Sequence, residues 1–400
     1  MKFSARLSVV MTTLLVAGLA LVGAAPANAA AGDPPAPVSG APSSPSGFTE
    51  WNGLLYFSAV AEGDVYSSLF SYDGTTFTQI LSSPVGPTQL HAFGDELIFE
   101  AIPDINALPS YIYALYSYDG TTITQVPGAF ESPNDFVTVG DTVYFQASVA
   151  GSLQLWQYDG TATAAVAGGA VAPTRLSEFG GKVYFEGGVD PFRVLYSYDP
   201  ATPATPAAPV AGSPIGADEV VAYDGTGYLG TGSGLYRFDG TTFTPVDTPA
   251  DAVGGLTVFD GALYFTGYAG GFGAVYYYRD GVTTAVAGTV TETGSYVDYK
   301  GVLYFLGFSG GQPVLVGIAN GVATAVPGSP PYPFEMTVFQ GKLYFQADGA
   351  DGFPAMYVYE GPGPMLAPTG VDAAAIVMLA LALLGAGAVV LVARRRVTAA

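Results

Sequence analysis

The sequence has no cysteine, one histidine and little positive charge. Without cysteine there are no disulfides, no thiolate nucleophile and no thiolate-ligated metal, so stability must come from a buried core. With His91 alone, neither a multi-histidine metal site nor a serine–histidine triad has its parts. Setting aside Lys2, Arg6, Asp372, Arg394, Arg395 and Arg396 leaves 7 basic residues against 32 acidic ones. Such a surface repels nucleic acid and anionic lipid. No glycine-rich phosphate loop carrying a lysine occurs. Carboxylates are plentiful, but nothing in the sequence sets two of them at the fixed separation of a glycosidase. The reading names no catalytic residue, metal or cofactor.

What is abundant is glycine (54), proline (30), tyrosine (27) and phenylalanine (24), a composition that favours short strands and turns over helices. The two ends differ from the rest. Residues 1–29 begin with Lys2 and Arg6, continue through an apolar run and end at Ala27-Asn28-Ala29, the layout of an export signal cleaved by signal peptidase after Ala29. Residues 30–46 are rich in Pro, Ser, Ala and Gly and read as a flexible lead-in. At the other end, residues 362–370 hold a short linker and the pentapeptide Leu366-Ala367-Pro368-Thr369-Gly370. An uncharged stretch within 371–393 follows, long enough to cross a bilayer as a helix, and then a basic tail at 394–400. The arginines orient the span with the tail inside.

Between these ends lies an internal repeat. Leu55-Tyr56-Phe57 returns as Leu97-Ile98-Phe99, Val143-Tyr144-Phe145, Val183-Tyr184-Phe185, Gly227-Tyr228-Leu229, Leu263-Tyr264-Phe265, Leu303-Tyr304-Phe305 and Leu343-Tyr344-Phe345, at intervals of 36 to 46 residues. Each unit holds four strand-like pieces. The first two are joined by turns such as Asn52-Gly53 and Asp260-Gly261, and the last two by Asp-Gly at 73–74, 119–120, 159–160, 239–240 and 280–281, or Asn320-Gly321. These dipeptides are hairpin signals because tight turns need positive φ. Four antiparallel strands per forty-odd residues predict an all-β fold, a β-propeller over 47–361 with eight four-stranded blades (seven being the alternative). Gly361-Pro362-Gly363-Pro364 stands where other units have a fourth strand. The ring must therefore close through the segment before Gly47, or leave its last blade with three strands.

Two resemblances rest on these residues. Pentapeptide, span and basic tail together resemble the sorting signal of sortase substrates, with Ala367 matching the LAxTG variant of class E sortases in high-GC actinobacteria. That resemblance implies cleavage after Thr369 and covalent transfer to peptidoglycan, with the membrane engaged only through the helix before sorting. The string Leu155-Trp156-Gln157-Tyr158-Asp159-Gly160-Thr161, kept in full only in the third unit, is similar to ELWxxDGT-type repeats of bacterial surface and secreted proteins. It adds architecture and no chemistry.

The recurring turn aspartates read as turn residues, because calcium needs six to eight oxygens and one carboxylate per turn supplies too few. The tyrosine stripe Tyr56, Tyr144, Tyr184, Tyr264, Tyr304 and Tyr344 reads as packing between blades. Propeller topology puts the uniform tight turns on one face and the variable connections on the other, and recognition is usually built on variable loops over a rigid scaffold. The candidate binding face is accordingly Asp64, Asp104, Tyr111, Asp190, Phe192, Phe272, Tyr332, Asp351 and Phe353. The expectation is an exported, wall-anchored surface protein whose propeller binds glycan or protein without catalysis. A structural surface protein, or a carboxylate-dependent glycoside hydrolase or lyase, are the alternatives. With only 361–365 between the last unit and Leu366, the propeller is expected close to its attachment point.

Overall fold

A computed structural model describes residues 33–81, 84–103, 112–269, 272–288 and 295–361. The signal peptide with Ala27 and Ala29, the sorting motif Leu366–Gly370, the span and the basic tail lie outside the described residues. Among the described residues every regular element is a β-strand, and no helix is long and apolar enough to cross a membrane.

The strands form eight four-stranded antiparallel sheets, so the eight-blade count holds. The first blade shows the pattern: Ser43–Trp51 innermost, then Leu54–Val60, Ser68–Tyr72 and Phe77–Leu81 at the outer edge. The second strand is the buried centre of each blade. Leu55 and Phe57 have no exposed surface, and Tyr56 on the opposite side of the pleat is only 3% exposed. Both faces are covered because blades stack on one another. Each apolar cluster spans two neighbours, as when Leu55, Phe57 and Tyr72 of the first blade pack on Phe339, Tyr344 and Met356 of the eighth. Every such phenylalanine withdrawn from water contributes roughly 1.5–3 kcal/mol. The tyrosine stripe is buried throughout, and burial pushes the Tyr56 hydroxyl up to about 12, with Tyr118 adding to it. These rings are core.

The turns fall into two kinds. Asn52-Gly53, Asp260-Gly261, Lys300-Gly301 and Gln340-Gly341 hold both residues at positive φ, as a two-residue hairpin requires. Asp280-Gly281 and Asn320-Gly321 do the same. The Asp-Gly-Thr turns differ from the two-residue expectation. In the first blade only Gly74 has positive φ (98°), and strands Ser68–Tyr72 and Phe77–Leu81 leave four residues between them. Asp73 Oδ1 accepts from Thr75 N (2.8 Å), Thr75 Oγ1 (2.7 Å) and Thr76 N (2.7 Å). Asp119, Asp159 and Asp239 repeat this, and these bonds hold all four carboxyls below the ordinary aspartate range. The carboxylate closes the turn on itself, which is why threonine follows the glycine.

Closure corrects the expectation for residues 30–46. Ala36–Pro37 pairs with Pro354–Tyr359 as the outer strand of the last blade, and Val38 N donates to Met356 O at 2.9 Å. Residues 43–46 already belong to the first inner strand. The ring is thus sealed by three strands from one end of the repeat region and one from the other.

Candidate functional site

The inner strands do not run straight. In six of the eight blades the pairing of first and second strands slips near the variable-loop face. Non-glycine residues take positive φ there, in pairs three apart: Ser132 with Asp135, Ala172 with Arg175, Tyr332 with Glu335. A bulge bends the strand and re-aims the side chains beside it. In each blade one position at the inner strand lies two residues before the partner of the central tyrosine (Ile98 in the second blade). These are Gly47, Gln89, Asp135, Arg175, Glu219, Gly255, Ser295 and Glu335.

Asp135 Oδ2 accepts from Leu176 N of the next blade at 3.1 Å, and Glu335 accepts from Gly47 N across the closure between the eighth and first blades. Around blade four these residues join a charged network. Glu186, with a side chain 8% exposed, takes Arg193 Nε at 3.1 Å and Arg175 Nη1 at 3.2 Å. Thr174 Oγ1 donates to the same carboxylate oxygen at 3.2 Å. Arg193 Nη2 donates to Ala172 O (2.7 Å), Thr174 Oγ1 (2.6 Å) and Glu186 O (3.2 Å). Arg175 Nε lies 3.4 Å from Asp218 Oδ1.

Desolvation raises the carboxyls of Asp135, Glu219 and Glu335 above their ordinary values. For Glu219 the charges of Asp218 and Asp135 add to that and Arg175 opposes it; for Asp135 the N–H groups of Leu176 and Arg175 oppose it. This cluster was missed in the sequence, although Arg175 and Arg193 are two of only seven basic residues between the ends. Chemically it is a lock: both guanidinium groups converge on one oxygen of Glu186. His91 is equally structural. Its Nε2 meets Thr138 Oγ1 of the next blade at 2.8 Å, its ring lies 5.9 Å from Phe136, and burial holds it below the ordinary histidine range.

Of the expected binding residues, Asp64, Asp190, Phe192, Tyr332, Asp351 and Phe353 lie in the variable connections, but they do not gather. Asp64 is exposed beside Gln79, whose Nε2 lies 3.4 Å away. Asp190 and the 70% exposed Phe192 belong to blade four. Tyr332, Asp351 and Phe353 belong to blade eight, where Asp351 Oδ1 accepts from Phe353 N at 3.1 Å. Asp104, Tyr111 and the side chain of Phe272 lie outside the described residues. Exposure itself is sharply polarised. Of the 13 exposed large hydrophobics among the described residues, ten lie on this face, including Val65 (80%), Val189 (81%) and Phe353 (66%). Only Val258, Val282 and Val322 lie towards the tight turns.

No family model matches the sequence, and no curated protein matches it. Solved structures do. A computationally designed protein, Ika8, aligns with TM-score 0.56 and 10% identity over 81% of this chain and 98% of its own. A prolyl endopeptidase aligns with TM-score 0.52 and 12% identity over 76% of this chain, which spans about half (54%) of that protein. The β-propeller domain of the Trilobed protease from Pyrococcus furiosus aligns with TM-score 0.46 and 12% identity over 75% and 98% of the two chains. At these identities the likeness is one of fold.

Proposed function

We propose that this chain is an exported, cell-wall-anchored surface protein whose propeller is a non-catalytic binding module for glycan or protein. The observation that carries the reading is the polarity of the ring. Exposed apolar and aromatic side chains concentrate on the variable-loop face, whereas the chain leaves the last blade at the opposite face. There the carbonyl of Glu360 accepts from Tyr299 Oη (2.8 Å) and Lys300 Nζ (2.6 Å), beside the tight turn at Lys300-Gly301. Exposed apolar surface of this kind marks interaction sites in soluble proteins.

The binding reading is tested by probing the protein against arrayed glycans, peptidoglycan fragments and extracellular matrix proteins. Silence on all of them would sink it. Anchoring is tested by mass spectrometry of wall digests. A C-terminal peptide ending at Thr369 and linked to wall peptide is expected, and a mature chain still carrying Arg394 to Arg396 refutes the sorting step.

A further inference from the structure

Between the first and second blades, the variable-loop face opens into a cleft of about 470 Å3. Its origin is a local shortage of side chain. The position after the central Tyr-Phe or Ile-Phe pair holds Glu100, Gln146, Glu186 and Gln346 in blades two, three, four and eight, and Thr266 and Leu306 in blades six and seven, but Ser58 in the first. Ser58 is paired with another small residue, Ser46, so nothing long fills the space above them. The walls are fixed by backbone. Gly86 N donates to Ser67 O at 2.9 Å, tying the loop of blade one to the inner strand of blade two, and Val85 pairs with Ile102 within blade two.

The lining chemistry is specific. Among the described residues no ionised side chain lines the cleft, in a chain of net charge −21. Among the described residues the hydroxyls of Ser44, Ser46 and Ser67 make no hydrogen bond to protein, so they are available to a ligand. Thr88 is committed to Glu100 at 2.8 Å. Two rings, Tyr66 (42% exposed) and Tyr113, line it together with the aliphatic Val60, Val65, Val85 and Ile102. The volume lies within the roughly 300–1,000 Å3 of small-ligand sites. Uncommitted hydroxyls beside aromatic and aliphatic surface, without charge, match a ligand that has many hydroxyls, an apolar C–H face and no charge of its own. An anion is disfavoured by the field of the protein.

We propose that this cleft is the primary subsite of the binding module and that it takes a neutral glycan, one or two sugar residues at a time. The proposal rests on the binding reading given above and deepens it by naming the site and the ligand class. The hydroxyls of Ser44, Ser46 and Ser67 hydrogen-bond the sugar hydroxyls, and Tyr66 covers the C–H face of the ring.

The test uses the full chain and a panel of neutral mono- to tetrasaccharides with uronic, sialylated and sulfated counterparts, plus a proline-rich peptide, read by saturation-transfer NMR and calorimetry. Tyr66→Ala removes the exposed ring and Ser46→Phe fills the cleft. Phe192→Ala and Phe353→Ala remove exposed rings elsewhere on the same face. Neutral sugars are expected to bind and to weaken about ten-fold or more in both cleft variants, with less than about a two-fold change in the other two. Circular dichroism checks that Ser46→Phe folds, and Tyr66→Ala stands alone if it does not. Glycan or protein binding that ignores the cleft variants overturns this site and leaves the surface reading standing. Cleft-dependent binding of only charged sugars or only the peptide overturns the ligand class. No binding to any probe, wall fragment or matrix protein overturns both.

Discussion

Replacing Arg193 with methionine keeps much of the side-chain volume and removes the guanidinium that holds Glu186. The side chains of both residues are largely buried, at 16% and 8% exposure. The change deletes the 3.1 Å ion pair together with the bonds to Ala172 O, Thr174 Oγ1 and Glu186 O. Breaking a buried pair by removing one partner costs about 3–5 kcal/mol, because the surviving charge stays desolvated. Arg175 and Thr174 still reach the carboxylate, so the lower end of that range, about 3 kcal/mol, is expected. The pair Arg193→Met with Glu186→Met removes the orphaned charge and should recover roughly 1–2 kcal/mol relative to Arg193→Met alone. Arg279→Met is the exposed comparison. Its contact with Asp260 is 3.5 Å long with side chains 40% and 72% exposed, and its loss should cost no more than about 1 kcal/mol. Urea unfolding followed through Trp51 and Trp156, with hydrogen exchange to localise the loss to blade four, measures all three. Arg193→Met within about 1 kcal/mol of the parent, or a double variant as unstable as the two singles combined, would refute the reasoning.

Three further outcomes follow from the same geometry. Burial raises the carboxyls of Glu100, Asp135, Glu219 and Glu335, so the folded chain keeps protons that the unfolded chain releases. Their contribution is full below the ordinary carboxylate range and lost as pH rises through the raised values. The melting temperature of Glu219→Gln/Glu335→Gln should therefore fall less than the parent's between about pH 4 and pH 7, and an unchanged profile would contradict it. The turn aspartates act in the opposite sense: their stabilisation is present above the ordinary aspartate range and lost as pH falls through the depressed values. Asp73→Ala should accordingly destabilise the first blade near neutral pH and lose its effect in acid, while added calcium leaves the melting temperature of the parent unchanged. Deleting residues 33–40 removes the outer strand of the last blade and should cost roughly 1–3 kcal/mol, with exchange protection lost first at Pro354–Tyr359.

The blade repeat was legible because its signals are local. A turn dipeptide and an apolar-aromatic triplet recur at nearly fixed offset, and each hairpin is specified within about fifteen residues of itself. The closing strand was legible only as a need. Ala36–Pro37 pairs over two residues, inside a segment whose proline and serine content reads as unstructured, and nothing in that composition marks which two residues dock. The channel mouth was illegible for a different reason. Asp135, Arg175 and Glu335 reach their places through positive φ at residues with no glycine-like preference, so periodicity assigns their side chains to the wrong direction. The cleft between blades one and two was hidden as an absence, serine where four other blades carry glutamate or glutamine, and an absence shows only once the repeats are aligned in register.

The closure also decides which face of the ring is free. Pro354–Tyr359 runs towards the tight turns, and Ala36–Pro37 lies antiparallel to it, with Ala36 opposite Val358 and Pro37 opposite Tyr357. The repeat region therefore begins and ends side by side on the tight-turn face of one blade. A ring built without functional polarity has no reason to place ten of the 13 exposed large hydrophobics among its described residues on the face opposite Ala36 and Tyr359. It has still less reason to place its uncharged, hydroxyl-lined cleft there. The arrangement suits the proposed binding module, with both described ends of the ring on one face and the cleft on the other.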